Sequence, residues 1–266
     1  MSRAAGRVLT IAGSDSGGGA GIQADIKTIT ALGGYAASAV TAVTVQDTLG
    51  VHAIHPVPPS IIAAQIRAVL GDIGADAIKT GMLGDAAAVE AVLEVLADFP
   101  GIPLVVDPVM VAKGGVALLA DGAMAALRRL ISQSALVTPN APEAEALTGL
   151  AVATTDGLRA AGEALLTSGV RAVLMKGGHV PGESVIDLLM TPRGETVLEG
   201  PRITTRHTHG TGCTLASACA VGLAQGLPLE QAVARAWAYT AEAIRLAPGF
   251  GDGAGPLDHA WPVRRP

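Results

Sequence analysis

The stretch from His209 to Thr214 combines residue types that suit the binding of an anion. Gly210 and Gly212 stand two residues apart, directly before the helix-compatible run Leu215–Ala218. Glycines at this point let backbone N–H groups crowd together at a helix N-terminus, where no intrahelical acceptor takes them. These groups and the positive end of the helix dipole favour a phosphate, so the motif indicates phosphoryl transfer. An ordinary glycine-rich loop entering a core helix is the alternative, and the motif alone does not separate the two.

Two cysteines lie on the predicted helix. Cys213 stands in the first turn as a potential base or polar anchor, and the helix dipole is expected to lower the pKa of its thiol. Cys219 comes six residues later, about 9 Å along the axis, which is too far for a disulfide. Neither the number nor the spacing of the cysteines predicts a zinc site, and so few cysteines are typical of a protein in a reducing cytosol. With no signal-peptide pattern before the first strand, we expect a cytoplasmic protein.

Further polar residues come where apolar, strand-like runs end. They are Asp107, Asn140, Glu143 and Lys176. Ligands collect at the carboxyl ends of strands in open α/β sheets, so we expect these side chains to meet the Gly210–Cys213 loop along one sheet edge. Lys176 closes an apolar run and precedes two glycines, which suits contact with phosphate; a structural, salt-bridged lysine is the alternative.

A glycine-rich loop follows the first predicted strand, Val8–Ala12, which ends at Gly13. The loop, Ser14–Gly21, matches no familiar template: it contains no G-x-G-x-x-G, and Gly21 is not followed by Lys-Ser/Thr. A nucleophile elbow would need serine at position 15, which is Asp15. The sequence therefore predicts a loop whose backbone can approach a small ligand closely.

Two polar residues near this loop have two interpretations each. Asp25 lies in the first turns of the next helix, and from the residues alone a surface carboxylate that complements the helix dipole is favoured. Gln46 ends the predicted strand Tyr35–Val45, where its amide could recognise the hydrogen-bonding edge of a ring. A solvated loop glutamine is an equally good interpretation of Gln46.

The composition and order of elements predict one α/β domain. Of the 266 residues, 50% are hydrophobic and 2% aromatic, which suits parallel strands covered by helices on both faces. Strands alternate with helices without a linker or repeat, so we expect a single three-layer α/β/α domain over residues 1–266 with a mainly parallel sheet. Predicted helices begin near Gly21, Pro58, Asp85, Asp121, Pro142, Thr155, Gly210 and Pro228. Lys113-Gly114-Gly115 is a predicted loop, and Ser184–Thr191 with Glu195–Leu198 a predicted hairpin.

Charge and hydropathy limit the partners. A net charge of −5 and a pI near 5.6 argue against nucleic acid, although local N–H groups and single lysines can still bind a phosphate. The uncharged stretch from Gly210 to Leu229 could span a bilayer by length alone. Its Gly, Thr, Ser and Gln content favours a buried helix, so no membrane partner is expected.

Five blocks make the chain similar to the hydroxymethylpyrimidine/phosphomethylpyrimidine kinases of thiamine biosynthesis, within the ribokinase superfamily. The similarity runs from about Val8 to Asp258, with the blocks in the family's order and at similar spacing. The blocks are Ala12–Asp25 (AGSDSGGGAGIQAD), Asp107–Lys113 (DPVMVAK), Thr138–Asn140 (TPN), Met175–His179 (MKGGH) and Thr208–Thr214 (THGTGCT). The resemblance implies a ribokinase-like fold and ATP-dependent phosphorylation of an aminopyrimidine alcohol and then of its monophosphate.

The resemblance also implies roles for individual residues. ATP and Mg²⁺ are expected over the second half of the sheet. Residues expected near the nucleotide are Asn140, Glu143, Lys176 and Gly178, with Asp107 and Glu143 as the carboxylates for the metal. The anion hole is expected from the amides of Gly210, Thr211 and Gly212, with Cys213 as base where many superfamily members have Asp. Positions that match the aminopyrimidine pocket are Gly13, Asp25, Gln46, Met82 and Val109.

The chain departs from the family pattern at two places. Asp47 stands where the family often has Asn, and Gly114-Gly115 replaces a common Ser-Gly; both lie in expected lid loops. Relatives with the cysteine also phosphorylate pyridoxal or pyridoxine, so vitamin B6 is the second substrate hypothesis. Outside this activity, the chain could be a non-catalytic ligand sensor, against which the intact motifs weigh, or a dinucleotide-dependent oxidoreductase, against which the missing fingerprint weighs. A homodimer is expected because similar kinases usually form one.

Overall fold

The computed structural model describes residues 6–111, 115–120 and 122–264. The predicted helix cap at Asp121 and the first part of the predicted loop, Lys113-Gly114, lie outside these ranges. The strands within them are β1 (Arg7–Asp15), β2 (Tyr35–Gln46), β3 (Val51–Pro56), β4 (Ala77–Thr80), β5 (Leu104–Val106), β6 (Leu136–Val137), β7 (Val173–Met175), β8 (Ser184–Thr191) and β9 (Gly194–Pro201). The α-helices are α1 (Gly21–Ala31), α2 (Pro59–Asp72), α3 (Ala86–Ala97), α4 (Met124–Ser132), α5 (Ala141–Thr148), α6 (Thr155–Thr167), α7 (Thr211–Ala224) and α8 (Leu229–Arg245).

The described strands form one sheet in the order β3-β2-β1-β4-β5-β6-β7-β8-β9. Pairs from β2 to β7 are parallel, and the two ends of the sheet are antiparallel. The chain moves outward from β1 to β2 and then crosses to β4 on the other side of β1. This reversal of direction creates the kind of crevice where α/β sheets bind ligands.

Alternate residues of the central strands face opposite layers of helices. Leu9 and Ile11 of β1 lie in the core with α2 to α6, whereas Val8 lies in the core with α1, α7 and α8. Val105 of β5 likewise faces the second layer, while Val106 faces the first. Since both faces of these strands are apolar, the sheet is covered on both sides. The predicted three-layer α/β/α fold with a mainly parallel sheet is confirmed.

Local sequence signals explain several helix starts. Asp85 caps α3 by accepting a hydrogen bond from the Ala88 N–H group, as predicted. Asn140 and Glu143 form a reciprocal capping box at the start of α5. α7 is buried over most of its length, and both of its cysteines are free. Among the described residues, no helix has the length and apolarity needed to cross a bilayer.

The structure corrects one predicted boundary and adds one strand. β1 continues through Gly13 to Asp15 with a register shift against β2, so the loop begins two residues later than Ser14. β3 was not predicted: it pairs antiparallel with β2 at the sheet edge, and most of its residues are exposed. An exposed edge strand lacks the alternation of buried and exposed residues that marks a half-buried strand.

Candidate active site

The parallel strands open onto one edge of the sheet, and the start of α7 lies over it. β1 ends at Asp15 and β2 at Gln46, while Asp107 follows β5 directly. Asn140 and Lys176 follow β6 and β7 and are joined by a parallel bridge. Helix α7 packs against β1, β4 and β5. The polar residues and the glycine motif therefore lie at the same edge of the sheet, as predicted.

Two glycines shape the start of α7. Gly210 has a φ of +81°, and a Cβ there would lie 1.8 Å from the Gly19 carbonyl oxygen, so only glycine fits. A Cβ on Gly212 would lie 3.1 Å from Lys176 Nζ and 3.4 Å from Asp107 Oδ2. The first amides of a helix have no acceptor within it. The N-terminus of α7 thus offers N–H groups beside a lysine ammonium, which is an arrangement for binding phosphate.

Lys176 lies between two carboxylates. Its Nζ is 3.0 Å from Asp107 Oδ1 and 3.8 Å from Glu143 Oε2. Burial lowers the pKa of Lys176, but Asp107 and Glu143 outweigh it and hold the pKa above its ordinary value. Burial, with the charge of Asp107, raises the pKa of Glu143 to about 7, although Lys176 lowers it. The lysine is therefore charged, as contact with phosphate requires, and its ion pair with Asp107 is also structural.

The carboxylates fit a metal that enters with a nucleotide. Among the described residues, no group of three or more His, Cys, Asp or Glu side chains is arranged to hold a metal. Mg²⁺ is commonly bound through only one or two carboxylates, together with substrate phosphates and water. Asp107 and Glu143 supply two such carboxylates on either side of Lys176. The donor set therefore fits Mg²⁺ but no preformed all-protein metal cage.

The backbone after Lys176 is open at Gly178. Gly178 lies in the short 3₁₀ turn Gly177–His179, and a Cβ there would meet nothing within 4 Å. Its carbonyl oxygen accepts a hydrogen bond of 2.8 Å from Arg202 Nη1. The side chain of Asn140 is engaged in the helix cap and accepts from the Glu143 N–H group. Asn140 thus fixes Glu143 in the structure, whatever else it contacts.

The chemistry of Cys213 differs from the prediction. Burial raises the pKa of its thiol to about 11, even though the Lys79 ammonium and the Gly21 N–H group lower it. The expected depression by the helix N-terminus is therefore wrong. The carboxylates of Asp25 and Asp107 add to the rise, because they oppose another negative charge nearby. The thiol is protonated at neutral pH.

Asp25 is not a surface carboxylate. It is fully buried and accepts hydrogen bonds from Lys79 Nζ at 2.9 Å to each oxygen, from Ser217 Oγ at 2.6 Å, and from Thr10 Oγ1. Lys79 is also fully buried. A carboxylate offers about four acceptor sites, so these contacts fill Asp25. Sequence reasoning missed Lys79, although a lysine inside the apolar run of β4 was a signal that a buried carboxylate must exist.

The other predicted pocket positions lie near the end of β1. The Cε atom of Met82 would be 2.5 Å from a Cβ on Gly13, so the missing side chain makes room for the methionine. The Met82 carbonyl accepts a hydrogen bond of 2.6 Å from Thr41 Oγ1. Gln46 is partly buried, and Val109 is partly buried in the turn after Asp107. Gly13 and Met82 are in contact. Among the described residues, Val109 has no hydrogen bond to either of them.

A second group missed by sequence reasoning lies beside Gln46. The buried Asp15 carboxylate lies 2.8 Å from His209 Nε2, and the same imidazole nitrogen lies 3.2 Å from the Gln46 amide. Asp15 and His209 stood inside the quoted motifs, but nothing in their spacing showed that they pair across the sheet edge. They connect the glycine-rich loop to the residue before Gly210.

Comparison with known proteins decides the family. The family model described as phosphomethylpyrimidine kinase matches residues 15–258. The chain belongs to this family. It is 51% identical over 255 residues to the thiamine biosynthesis bifunctional protein ThiED of Geobacter sulfurreducens, covering 96% of this chain but only 52% of that protein. It is 50% identical to the hydroxymethylpyrimidine/phosphomethylpyrimidine kinase of Streptomyces coelicolor, covering 96% and 94% of the two chains.

A solved structure gives the same architecture. An ADP complex of Bacillus subtilis pyridoxal kinase superposes with a TM-score of 0.90 at 33% identity, covering 97% of this chain and 98% of that one. The predicted ribokinase-like fold and the phosphotransferase class are both confirmed, and the oxidoreductase hypothesis is wrong.

Proposed function

We propose that this chain uses ATP to phosphorylate 4-amino-5-hydroxymethyl-2-methylpyrimidine and then the resulting monophosphate, giving the diphosphate for thiamine biosynthesis. The observation that carries this is the position of Gly212 at the start of α7, within reach of both Lys176 and Asp107. Relatives that are about half identical and named for the pyrimidine substrates support the choice of acceptor.

The transferring phosphoryl group is assigned to the space over Gly212. The amides of Gly210, Thr211 and Gly212 are assigned to bind it, with the Thr211 N–H giving up its 3.4 Å hydrogen bond to the Thr208 carbonyl, and Lys176 adds a positive charge. Phosphoryl transfer depends mostly on positioning and charge stabilisation, and these groups are of the type that provides both. Bound by Asp107 and Glu143, Mg²⁺ would neutralise charge on the nucleotide phosphates. Asn140 and Gly178 border the space assigned to ATP.

The acceptor alcohol is assigned to the pocket of Gly13, Gln46, Met82 and Val109. Asp25 is proposed near the reacting hydroxymethyl group, with its acceptor sites filled in this structure by Lys79, Ser217 and Thr10. A ligand hydroxyl could reach it only by displacing Thr10 or Ser217.

Cys213 is assigned to the proton of the alcohol. In the first transfer the alcohol must lose its proton, whereas a phosphate monoester acceptor needs little deprotonation near neutral pH. A protonated thiol cannot accept a second proton, so Cys213 takes the proton of the alcohol only in its thiolate form, which the Lys79 ammonium and the Gly21 N–H group favour. The cysteine is therefore assigned to the first transfer alone.

A coupled assay of ADP formation with Mg²⁺, ATP and the pyrimidine alcohol tests the proposal, with pyridoxal in parallel and mass analysis of products. A pyrimidine diphosphate is expected. The close structural likeness to a pyridoxal kinase favours vitamin B6 phosphorylation as the second candidate, and turnover of pyridoxal alone would establish it. Tight binding without turnover would instead indicate a sensor.

The assembly is proposed as a homodimer of one kinase domain spanning residues 1–266. The single sheet supports one domain. Val43 and Val45 of β2 are 49% and 58% exposed on one face of the β2–β3 pair, beside the exposed Ala53 and His55 of β3. Apolar side chains that are exposed together on the two strands at a sheet edge suit contact with a second copy of this chain. Light scattering of the protein and of Val43→Lys tests this; an unchanged mass would contradict it.

A further inference from the structure

The side chain of Gln46 lies between two polar groups that each determine which amide atom faces them. The amide nitrogen lies 3.2 Å from His209 Nε2, and the amide oxygen lies 3.2 Å from Thr44 Oγ1. The oxygen and nitrogen of an amide have nearly the same size, so the hydrogen-bond network decides which is which. Backbone contacts hold Gln46 in place, because Ser16 Oγ accepts from its N–H group and donates to its carbonyl.

Asp15 fixes the proton of His209. Its carboxylate accepts from the N–H groups of Gly17, Gly19 and Ala20 at 2.8 to 3.0 Å. Burial raises the pKa of Asp15, but these bonds and the one to His209 outweigh it and hold the pKa below its ordinary value. The carboxylate is therefore ionised and can only accept. His209 Nε2 lies 2.8 Å away, so that nitrogen must carry a hydrogen.

Thr44 presents the opposite requirement. Its hydroxyl donates to the Ser14 carbonyl at 2.9 Å, which uses its single hydrogen. Towards Gln46 it can then only accept. With the amide nitrogen towards His209, an N–H group of Gln46 faces the N–H group of His209. The Gln46 oxygen then faces the Thr44 hydroxyl oxygen, which has no hydrogen left to donate. Rotating the amide by 180° removes both conflicts: the Gln46 nitrogen donates to Thr44, and the Gln46 oxygen shares with Asp15 the one hydrogen of His209 Nε2.

We propose that Asp15 and His209 are positioning residues that fix the polarity of the Gln46 amide and thereby select the ring of the acceptor. The inference rests on the proposed function. The amide keeps one N–H hydrogen and one oxygen lone pair for a ligand, in a fixed order. That pair complements a heteroaromatic edge with an acceptor nitrogen next to an exocyclic amino donor. A ring without the amino group can form only one of these two hydrogen bonds.

The test measures binding of 4-amino-5-hydroxymethyl-2-methylpyrimidine by calorimetry, so that it does not depend on turnover. His209→Leu and Gln46→Ala are each expected to weaken binding at least about tenfold, as expected when a buried polar partner is lost. The Kd for ATP should change less than twofold. In the double variant, His209→Leu should add no more than about twofold to the effect of Gln46→Ala, because it acts through Gln46. His209→Gln, whose NH₂ group can donate to both neighbours, should restore most of the affinity.

Several outcomes would overturn the inference. These are additive effects in the double variant, weakened binding of ATP and pyrimidine alike, unchanged binding in Gln46→Ala, or no pyrimidine binding by the wild-type protein. Should His209→Leu fail to fold, ¹⁵N NMR of the wild-type imidazole decides: a hydrogen on Nε2 is expected, and an unprotonated Nε2 at neutral pH overturns the inference. Wild-type binding without phosphorylation would contradict the proposed function alone.

Discussion

Replacing Gly212 with alanine should separate activity from stability. Gly212 is the second residue of α7 and has no positive φ, so its backbone accepts alanine without strain. The new methyl group would lie 3.1 Å from Lys176 Nζ and 3.4 Å from Asp107 Oδ2. The flexible end of Lys176 can yield by a few tenths of an ångström, but the methyl group then occupies the space assigned to the transferring phosphoryl group.

The magnitudes follow from these contacts. The variant keeps the Gly212 N–H group, but the methyl group holds the phosphoryl group away from it, which is equivalent to losing one preorganised donor, roughly 10²- to 10³-fold in kcat, or about 2.7–4 kcal/mol. Alanine is favoured over glycine inside a helix by about 1 kcal/mol, and by less in the first turn. We therefore expect Gly212→Ala to lower kcat at least ~100-fold. The free energy of unfolding should stay unchanged or rise by up to about 1 kcal/mol.

ADP formation gives the activity, and urea denaturation gives the free energy of unfolding. Gly71→Ala is the matched control: it lies in α2 with no positive φ, and a Cβ there meets nothing within 4 Å. It should gain similar stability with unchanged activity. The reasoning is refuted if Gly212→Ala keeps activity within about threefold of the wild-type protein, or if its activity falls only because the protein unfolds.

Three further perturbations test other parts of the site and core. Cys213→Ala should slow transfer to the alcohol at least ~100-fold, which is the scale of general base catalysis, and should slow transfer to the monophosphate much less. Single-turnover product analysis measures both rates, and equal losses in the two rates would contradict the assignment of Cys213 to the first transfer. Lys79→Met should lower the free energy of unfolding by about 3–5 kcal/mol because Asp25 stays buried without its partner. In urea titrations, adding Asp25→Leu should recover most of the lost free energy of unfolding, and no recovery would count against the ion pair as the cause. Burial, with the charges of Lys27 and His209, lowers the pKa of His259 from 6.5 to about 4, so the unfolded chain binds more protons between these values. Stability is then lost as pH falls through that window, by up to about 3 kcal/mol; His259→Gln should show a smaller loss between pH 7 and pH 4.5, and an identical loss would exclude His259 as the source.

The architecture could be predicted because its causes are local. Apolar runs and caps such as Asp85 mark the strands and helices, and alternation of the two implies a parallel sheet. The order of the strands then brings Asp107, Lys176 and Gly212 to one edge without any knowledge of their distances. β3 escaped prediction because an exposed edge strand buries little and so leaves no periodic pattern.

The parts that could not be predicted depend on pairing between distant residues. Asp25 and Lys79 are separated by 54 positions, and only the fold shows that each neutralises the cost of burying the other. The pKa of Cys213 was misjudged for the same reason. Helix position is visible in the sequence, but the buried surroundings and the nearby carboxylates that raise the pKa are not.

The most direct measurement is a competition between the two acceptors in one reaction. Equal concentrations of the pyrimidine alcohol and pyridoxal are incubated with the protein, Mg²⁺ and limiting ATP, and the phosphorylated products are followed by mass spectrometry. We predict that the pyrimidine monophosphate and then its diphosphate accumulate before pyridoxal phosphate. Accumulation of pyridoxal phosphate first, or a pyrimidine product that stops at the monophosphate with ATP still present, would contradict the proposed function.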